Sequence, residues 1–507
     1  MKTAALLLAT GLAGCTVGPN YVAPDVPLPA AFAAPQAPGT AIDPARWWDA
    51  FGDRELTSLT VRALRDNPDI AVAASRVRQA RLQEIVARSV NKPDLNASAE
   101  VSHIEFSRNA GLASIARQFS GGAAGGAAGG SAGGTGSTGS GGGIALPGSG
   151  ITTYALGFDA SWEIDLFGGG RRQVEGALAR TEAAEWSRRD AAVTIAAEVA
   201  QAYWALRLDQ AQILVIQDEL LRQRRSLQIA GNVSRVGLSP EIDVTRQRAQ
   251  ITSNEARIEP IRADIDVRIH ALGILLGQPP AALMQEFAVE TLPPLAPAPA
   301  VPAGLPSDLL RRRPDVRAAE RNLAAATADI GVAVADLYPR FSLTGMEQLI
   351  SSALSSLFSG NSLQLTGSGA VQFPLIDWGR RRATVKIRRE DAEQAYVRYK
   401  ATVLGALRDV EDALSQIAAE QRRHAALVRA VNDADVSARA TVAQFQTGFV
   451  AQNDVLEAQV QVLNAREQLA SSDAQLRQST AALFKALGGG WSADTDPATP
   501  GMHQPQP

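Results

Sequence analysis

The side chains most able to do chemistry are few and scattered in this sequence of 507 residues. The four histidines stand far apart, and none has the spacing to another histidine or to a cysteine that a metal site requires: His103, His270, His424 and His503. The glycine cluster Gly168–Gly170 is followed by two arginines and lacks the Lys-Ser/Thr pair of a phosphate-binding loop. We therefore expect no catalytic residue, no bound metal and no cofactor.

Charge and hydropathy narrow the class of protein further. The chain has 49 Lys+Arg against 52 Asp+Glu, and this near balance argues against a nucleic-acid surface, which needs a basic excess. No run approaches the ~20 apolar residues of a spanning helix. A membrane role would therefore need a lipid anchor, a β-barrel or both.

The single cysteine is informative because of its position. Cys15 follows a basic start, a short apolar stretch and the small residues Ala13 and Gly14, which together resemble a bacterial lipobox. This pattern predicts a signal peptide over 1–14, cleavage before Cys15 and a lipid on its thiol. The alternative is an ordinary signal peptide with an incidental cysteine. Thr16, where an aspartate would favour retention in the inner membrane, indicates the outer membrane.

The chain is an internal duplication. Pro68 and Pro93 match Pro314 and Pro339 at an offset of 246, whereas later matches, such as Gly237 with Gly448, are offset by 211. The difference of 35 residues falls in a loop over 109–150, which contains the Gly-rich run 121–143. We assign 15–66 to a lipid-anchored extended segment and a first helix, 67–278 to repeat 1, 279–306 to a Pro-rich equatorial connector, 307–488 to repeat 2 and 489–507 to a disordered tail.

Period-2 alternation predicts two strands in each repeat, at about 93–108, 151–167, 339–350 and 362–376. Trp162, Ile164 and Leu166, for example, alternate with Ser161, Glu163 and Asp165. Four strands cannot close a barrel, and open sheet edges cannot face lipid. Either the strands form a soluble, half-buried sheet, or several chains share one barrel, and a duct favours three chains because an eight-stranded barrel fills its own interior.

Long helices are predicted over about 169–235, 240–276, 379–447 and 452–487. The second helix of each pair has an apolar residue at every seventh position, which is typical of a coiled-coil seam: Val244, Ile251, Ile258, Ile265 and Leu272, and Val455, Val462, Leu469, Leu476 and Leu483. Gly237 and Gly448 mark the hairpins between the helices, and Pro260 should kink the helix that contains it. A coiled-coil rod without strands is the simpler alternative.

Several motifs resemble those of a known family. Trp47-Trp48-Asp49-Ala50-Phe51-Gly52-Asp53, Trp162-Glu163-Ile164-Asp165-Leu166-Phe167-Gly168 and the run from Leu305 to Asp315, LPSDLLRRRPD, are similar to segments of the outer membrane factors, in the NodT or OprM-like branch. The match covers almost the whole chain, and the long Gly-rich loop is the main departure.

The resemblance implies a mixed α and β membrane protein, in which a homotrimer forms a twelve-stranded β-barrel continued by a long α-helical barrel with an equatorial domain. It implies a place in the outer membrane extending into the periplasm, and passive efflux of small molecules. The implied partners are a periplasmic adaptor and an inner-membrane transporter of the resistance-nodulation-division class. The alternatives are the exit duct of a type I protein-secretion system and a coiled-coil lipoprotein that does not conduct.

The resemblance also implies where the duct is controlled. The family closes its periplasmic tip near the second hairpin, and the matching positions here are Asn453, Asp454 and Glu457. Asn453 and Glu457 share one helical face because they are four residues apart. The hairpins are the expected adaptor contacts, through Gly237, Leu238, Ser239, Gly448, Phe449 and Val450.

Overall fold

The computed structural model describes residues 16–34, 42–105, 150–237, 240–288, 296–302, 304 and 306–491. Cys15, the Gly-rich run 121–143, Leu238 and Ser239 lie outside these ranges, so what was predicted for them remains a prediction. The chain divides into two compact units. The sheet unit contains 86–174 and 331–385 with the segment that ends at Gly18, and the helical unit contains the other described residues.

Long helices dominate the described residues. The α-helices are α1 (Arg54–Asp66), α2 (Pro68–Ser89), α3 (Gly169–Arg235), α4 (Glu241–Ala256), α5 (Ile258–Leu275), α6 (Pro306–Arg312), α7 (Pro314–Ala335), α8 (Arg380–Gln446) and α9 (Gln452–Ala486). Short 3-10 segments cover Pro44–Phe51, Pro280–Leu283, Leu354–Ser356 and Gly360–Ser362. Across the described ranges, no helix has both the length and the apolarity that crossing a membrane would take.

The elements recur at the two offsets found in the sequence. Helices α2 and α7 have 22 residues each and start and end 246 positions apart. Helices α3 and α8 have 67 residues each and are offset by 211 at both ends. The start of α4 and the start of α9 keep the same offset of 211. Each repeat therefore contributes the same succession of helix, two strands and helical hairpin.

Four antiparallel strands form one sheet in the order β1-β2-β3-β4. They are β1 (Asp94–Glu105), β2 (Gly150–Ile164), β3 (Arg340–Ser351) and β4 (Leu363–Gln372). Strand β4 ends before the predicted residue 376, because β3 starts at Arg340, opposite Gln372, and offers no partner beyond it. Pro374 could not donate to a ladder in any case.

The core of the helical unit is built on aromatic side chains. Trp47 is fully buried and stacks on Phe484 of α9, with ring centroids 5.1 Å apart. Phe51 lies against Trp204 of α3 at 5.4 Å. Leu283, Phe287 and Val301 bring the predicted connector into the same buried cluster. The N-terminal segment, the connector and both repeats thus share one core.

The apolar stripe of the hairpin helices faces the interior of the helical unit. Ile251, Ile258 and Leu272 are buried, as are Val455, Val462 and Leu483 of the second copy. The predicted helix 240–276 is divided into α4 and α5 at Arg257. The proline ring at position 260 conflicts with the carbonyl four residues earlier, at Ala256, and this accounts for the break.

The prediction of a disordered tail from 489 is wrong for its first three residues. The amide of Gly490 donates to the carbonyl of Pro44 at 2.7 Å. The Trp491 indole donates to the Arg312 carbonyl at 3.2 Å and packs edge-on against Trp186. Two successive glycines let the backbone pass close to Trp47, which no periodicity in the sequence reveals.

Candidate functional site: sheet faces and hairpin turns

One face of the sheet is apolar and open to the surroundings. The strand register places most of the large apolar residues of the four strands on this face, including Leu95, Val101, Leu156, Phe158, Trp162, Leu343, Leu365 and Val371. Leu365 is 78% exposed, Val101 68% and Phe158 56%. Two carboxylates interrupt it, Glu347 between Phe158 and Leu365, and Glu105 at the end of β1. A soluble, half-buried sheet would cover this face, so the exposure argues against that alternative.

The opposite face is polar. It carries short hydroxyl, amide and acidic side chains from all four strands: Asn96, Ser98, Glu100, Ser102, Asp159, Ser161, Glu163, Ser342, Thr344, Gln348, Gln364, Thr366, Ser368 and Gln372. Thr344 and Ser368 hydrogen-bond across β3 and β4 at 2.6 Å. The apolar side chains of Ile104, Met346 and Ile350 also lie on this face. A sheet with one apolar and one polar face, both uncovered, suits a wall between lipid and water.

The segment after Cys15 is attached to the end of β2. The amide of Val17 donates to the Phe167 carbonyl at 3.1 Å, and Arg172 Nε donates to the Val17 carbonyl at 3.2 Å. A Cβ on Gly168 would lie 2.8 Å from the Thr16 side chain. The described part of the N-terminal segment therefore begins, at Thr16, directly beside the end of the sheet.

Both helical hairpins turn through a glycine in the left-handed region. Gly237 and Gly448 each have φ of 77°. At the second turn the Gly448 amide donates to the Phe445 carbonyl at 3.0 Å, and the Phe449 amide donates to the Gln444 carbonyl at 2.9 Å. These two bonds form the Schellman pattern that satisfies the last carbonyls of α8. A Cβ at Gly448 would meet no atom of the described residues within 4 Å, so the backbone angle, and not space, calls for glycine there.

Large apolar side chains project from both turns. Phe449 is 83% exposed and Val236 is 69% exposed. Val450 beside Phe449 is half-buried. Apolar side chains at turns with such exposure are candidates for contact with another protein.

The three predicted gate residues lie in the first two turns of α9. Asn453 and Glu457 are exposed in the single chain, on one face as their spacing predicts. The Asp454 carboxylate accepts a 2.9 Å hydrogen bond from the Ala451 amide and so supports the start of α9. The three residues lie close together because they are neighbours in sequence, and the Asp454 carboxylate also caps the start of α9.

A buried amide network joins the two hairpins, and sequence reasoning missed it. Gln452 Nε2 donates to Gln247 Oε1 at 2.6 Å, and Gln247 Nε2 donates to the Gln223 carbonyl at 3.2 Å. Asn254 Nδ2 donates to Gln223 Oε1 at 3.0 Å. Gln223 and Gln247 are fully buried. Gln247 and Asn254 each lie three residues after a stripe residue, at the second seam position of the heptad, and that was the available signal.

Ion pairs tie the same helices together nearby. Arg466 of α9 donates to Asp218 of α3 at 2.8 Å and to both carboxylate oxygens of Asp435 of α8 at 3.0 Å. Glu219 is 1% exposed and accepts from Arg222 Nε at 3.0 Å. Burial raises the pKa of Glu219, and the neighbouring arginines oppose that rise.

A second acidic group lies at the start of α1. Burial, followed by a hydrogen bond to Glu286, raises the pKa of Glu55 to about 7. Arg62 Nη1 donates to Glu286 Oε1 at 2.7 Å. The neighbouring Asp53 carboxylate caps α1 and accepts from the Tyr203 hydroxyl at 2.7 Å. Glu55 and Glu286 are far apart in sequence, so no local pattern announces the pair.

The chain is similar to known proteins over most of its length. The profile of the family described as "Outer membrane efflux protein" matches residues 59–278 and 305–489. Nodulation protein T of Rhizobium leguminosarum bv. trifolii is 30% identical over 449 residues, covering 88% of this chain and 88% of that protein. Outer membrane protein OprJ of Pseudomonas aeruginosa is 28% identical over 489 residues, covering 96% of this chain and 95% of that protein.

A solved structure agrees with these sequence matches. The outer-membrane channel OprN superposes with a TM-score of 0.81 at 30% identity, covering 94% of this chain and 100% of that chain. The likeness therefore extends over both repeats, the strands and the hairpins.

Proposed function

Because the chain belongs to the outer membrane efflux protein family, we propose that three copies close their four-stranded sheets into one twelve-stranded barrel. The chain is an outer-membrane channel component of a tripartite efflux system and extends into the periplasm. Its mixed α and β fold is that of the outer-membrane channels, as the sequence predicted. Members of the family are channel proteins, and passive conduction requires no catalytic residue from this chain.

The proposed barrel rests on one observation: the sheet is open, and one of its two faces is apolar and exposed. Within the part of the chain that the structure describes, strands β1 and β4 have no partner on their outer edges. In lipid each unsatisfied backbone group costs several kcal/mol, so an open four-stranded sheet is not viable there. Twelve strands from three chains remove every edge and enclose the polar face. Strands of 10 to 15 residues are long enough to cross a bilayer at a tilt.

The hairpin turns are the proposed contact with a periplasmic adaptor. The contact residues are Gly237, Leu238, Ser239, Gly448, Phe449 and Val450, and the exposure of Phe449 supports the assignment. A transporter of the resistance-nodulation-division class in the inner membrane supplies the energy in this proposal, since the duct itself only conducts. The cargo is a small molecule.

Glu457 and Asn453 are the proposed gate at the periplasmic tip. Three copies of Glu457 would form an acidic ring, and acidic rings favour cations. Asp454 belongs to the same ring of positions, although its carboxylate also caps α9. The lipid on Cys15 would fix the chain beside the barrel, because Thr16 and Val17 are already bound at the end of β2.

A matched pair of substitutions on neighbouring residues of β2 tests the barrel. Phe158→Arg puts a charge on the apolar face, where arginine near the bilayer midplane costs about 2–4 kcal/mol. Asp159→Arg puts the same side chain on the polar face. We expect Phe158→Arg to abolish membrane-inserted trimers and efflux in a deletion strain, and Asp159→Arg to retain both. Equal tolerance of the two variants would refute the lipid-facing assignment.

Conductance tests the function independently of assembly. Purified wild-type protein in a planar bilayer should show discrete channel currents. Trimers that insert but never conduct, even with Glu457→Ala at the proposed gate and under a transmembrane voltage, would exclude the duct.

A further inference from the structure

A cavity of about 400 Å³ lies between helices α3, α8 and α9 of the helical unit. Each helix contributes a pair of lining residues three positions apart, which is the spacing of one helical face. These pairs are Glu219 and Arg222 of α3, Arg439 and Val442 of α8, and Gln459 and Val462 of α9. The volume is in the range of sites that hold small molecules.

Ion pairs fix the three helices around this cavity. Arg466 of α9 also lines it, and its guanidinium donates to Asp218 of α3 at 2.8 Å and to Asp435 of α8 at 3.0 Å. One arginine thus fastens α9 to both neighbouring helices. The cavity therefore has a defined shape before any ligand enters.

Two of the lining side chains are buried and incompletely hydrogen-bonded. Glu219 is 1% exposed and Gln459 is 7% exposed. Glu219 Oε2 accepts from Arg222 Nε, but Glu219 Oε1 and Gln459 Oε1 have no hydrogen-bond partner among the described residues. Gln223 lies beside Glu219, but Gln223 Nε2 is also without a partner and so does not satisfy the carboxylate. Unpaired buried acceptors are unfavourable, so both oxygens call for a donor from a ligand.

Arg439 gives the same cavity an exposed positive charge. Its Nε donates to the Asp435 carbonyl of its own helix at 3.2 Å. No carboxylate among the described residues pairs with its guanidinium, whereas Arg222 and Arg466 each have a carboxylate partner. The cavity thus combines buried acceptors, an exposed cation and the apolar side chain of Val442.

We propose that this cavity binds a small zwitterionic molecule, with an ammonium group at one end, a carboxylate at the other and an apolar chain between them. The ammonium donates to Glu219 Oε1 and to the amide oxygen of Gln459. The carboxylate binds Arg439, whose planar guanidinium matches both carboxylate oxygens. An alkylamine or a fatty acid satisfies only one end of the site.

The site is distinct from the proposed gate. Gln459 is two residues after Glu457, so the two side chains point to opposite sides of α9. A ligand that contacts three helices stabilises their present arrangement, because it binds the folded helices and not the unfolded chain. Binding should therefore raise the melting temperature, and it does not depend on conduction by the duct.

A series of ω-amino acids tests the proposal on the purified protein in detergent. γ-Aminobutyrate, ε-aminocaproate and ω-aminocaprylate differ only in the separation of their ammonium and carboxylate groups, so one of them should fit best. Caproate and hexylamine each lack one charged end. In isothermal titration calorimetry, we expect the best ω-amino acid to bind at least about tenfold more tightly than either of these controls. The same ligand should raise the melting temperature.

Two pairs of substitutions locate the binding site. Gln459→Leu and Arg439→Gln should each weaken binding by about tenfold or more. Gln461→Leu and Arg429→Gln make the same changes at exposed positions of α9 and α8 outside the cavity and should stay within about twofold of wild type. Gln459→Leu removes an unpaired buried amide, so it should keep or raise the melting temperature, and its loss of binding cannot come from unfolding.

Either of two results would overturn the assignment. One is that no ω-amino acid binds more tightly than caproate and hexylamine, in which case ordered water satisfies the buried oxygens. The other is that the exposed substitutions weaken binding as much as those in the cavity, which would place the ligand elsewhere on the protein.

Discussion

The hydrogen bond between Gln452 and Gln247 should hold the start of α9 to α4 cooperatively. Replacing Gln452 by leucine removes a 2.6 Å bond and leaves Gln247 Oε1 without that donor at a residue that is fully buried. An orphaned buried polar group costs about 1–3 kcal/mol. Gln247→Leu is expected to cost a similar amount, because the remaining contact of Gln452 Nε2, to Ser226 Oγ, is 3.4 Å long.

The double variant should cost less than the two single variants together. With both amides replaced by leucine, neither leaves the other unpaired, so the coupling energy should be about 1–2 kcal/mol. Two leucines also suit the adjoining seam, where Ile251 and Val455 are already buried. The amide pair would then specify register more than it adds stability.

Amide hydrogen exchange in the detergent-solubilised assembly measures this effect. Each single variant should speed exchange in the first turns of α9, Val455 to Leu463, by about 5- to 150-fold, the equivalent of 1–3 kcal/mol. Gln461→Leu makes the same chemical change on the exposed side of α9 and should stay within about 0.5 kcal/mol of wild type. Strict additivity of the two single effects, or an equal effect of Gln461→Leu, would refute the reasoning.

Three further outcomes are expected. Gly448→Ala should destabilise the second hairpin by about 1 kcal/mol because of its positive φ. Gly405 is a residue of α8 where an added Cβ meets no described neighbour, so Gly405→Ala should stabilise by about 0.5–1 kcal/mol. Chemical unfolding of the two variants compares them. Glu457→Ala should raise the closed-state conductance in a planar bilayer, and an unchanged leak would remove Glu457 from the gate. Burial raises the pKa of Glu55, so its contribution to stability is complete below its ordinary pKa and is lost as pH rises through about 7. Thermal unfolding should show this decline, about 1 kcal/mol after allowance for solvent, and Glu55→Gln should flatten it. A decline that persists in Glu55→Gln would assign the pH dependence to another group.

The elements of the fold could be predicted from local signals. Glycine after α3 and α8, proline at the first position of α2 and α7, and alternation along the strands each act within a few residues, so the predicted and observed boundaries of the long helices differ by at most a residue. The motifs that resemble those of the outer membrane factors are spread over the whole chain, and the family match confirms the resemblance. These signals can be recognised without knowing which residues pack together.

What could not be predicted depends on contacts between distant segments. Glu55 meets Glu286, and Gly490 reaches Pro44, only after the helical unit has formed. The amide network had a local signal, since Gln247 and Asn254 interrupt the seam, but their partner Gln223 lies on another helix. Polar residues at seam positions are therefore better treated as a prompt to search for a buried partner than as noise.

The internal duplication also bears on the unpaired sheet edges of a single chain. Among the described residues, the two repeats of one chain make one contact of the β2–β3 kind, and the outer edges of β1 and β4 stay unpaired. Ala318 and Ala328 of α7 are buried, whereas the residues 246 positions earlier in α2, Val72 and Leu82, are exposed. A repeat that packs on its neighbour by a fixed rotation must either continue indefinitely or close into a ring. In the proposed trimer, ring closure brings the unpaired sheet edges of one copy against those of the next.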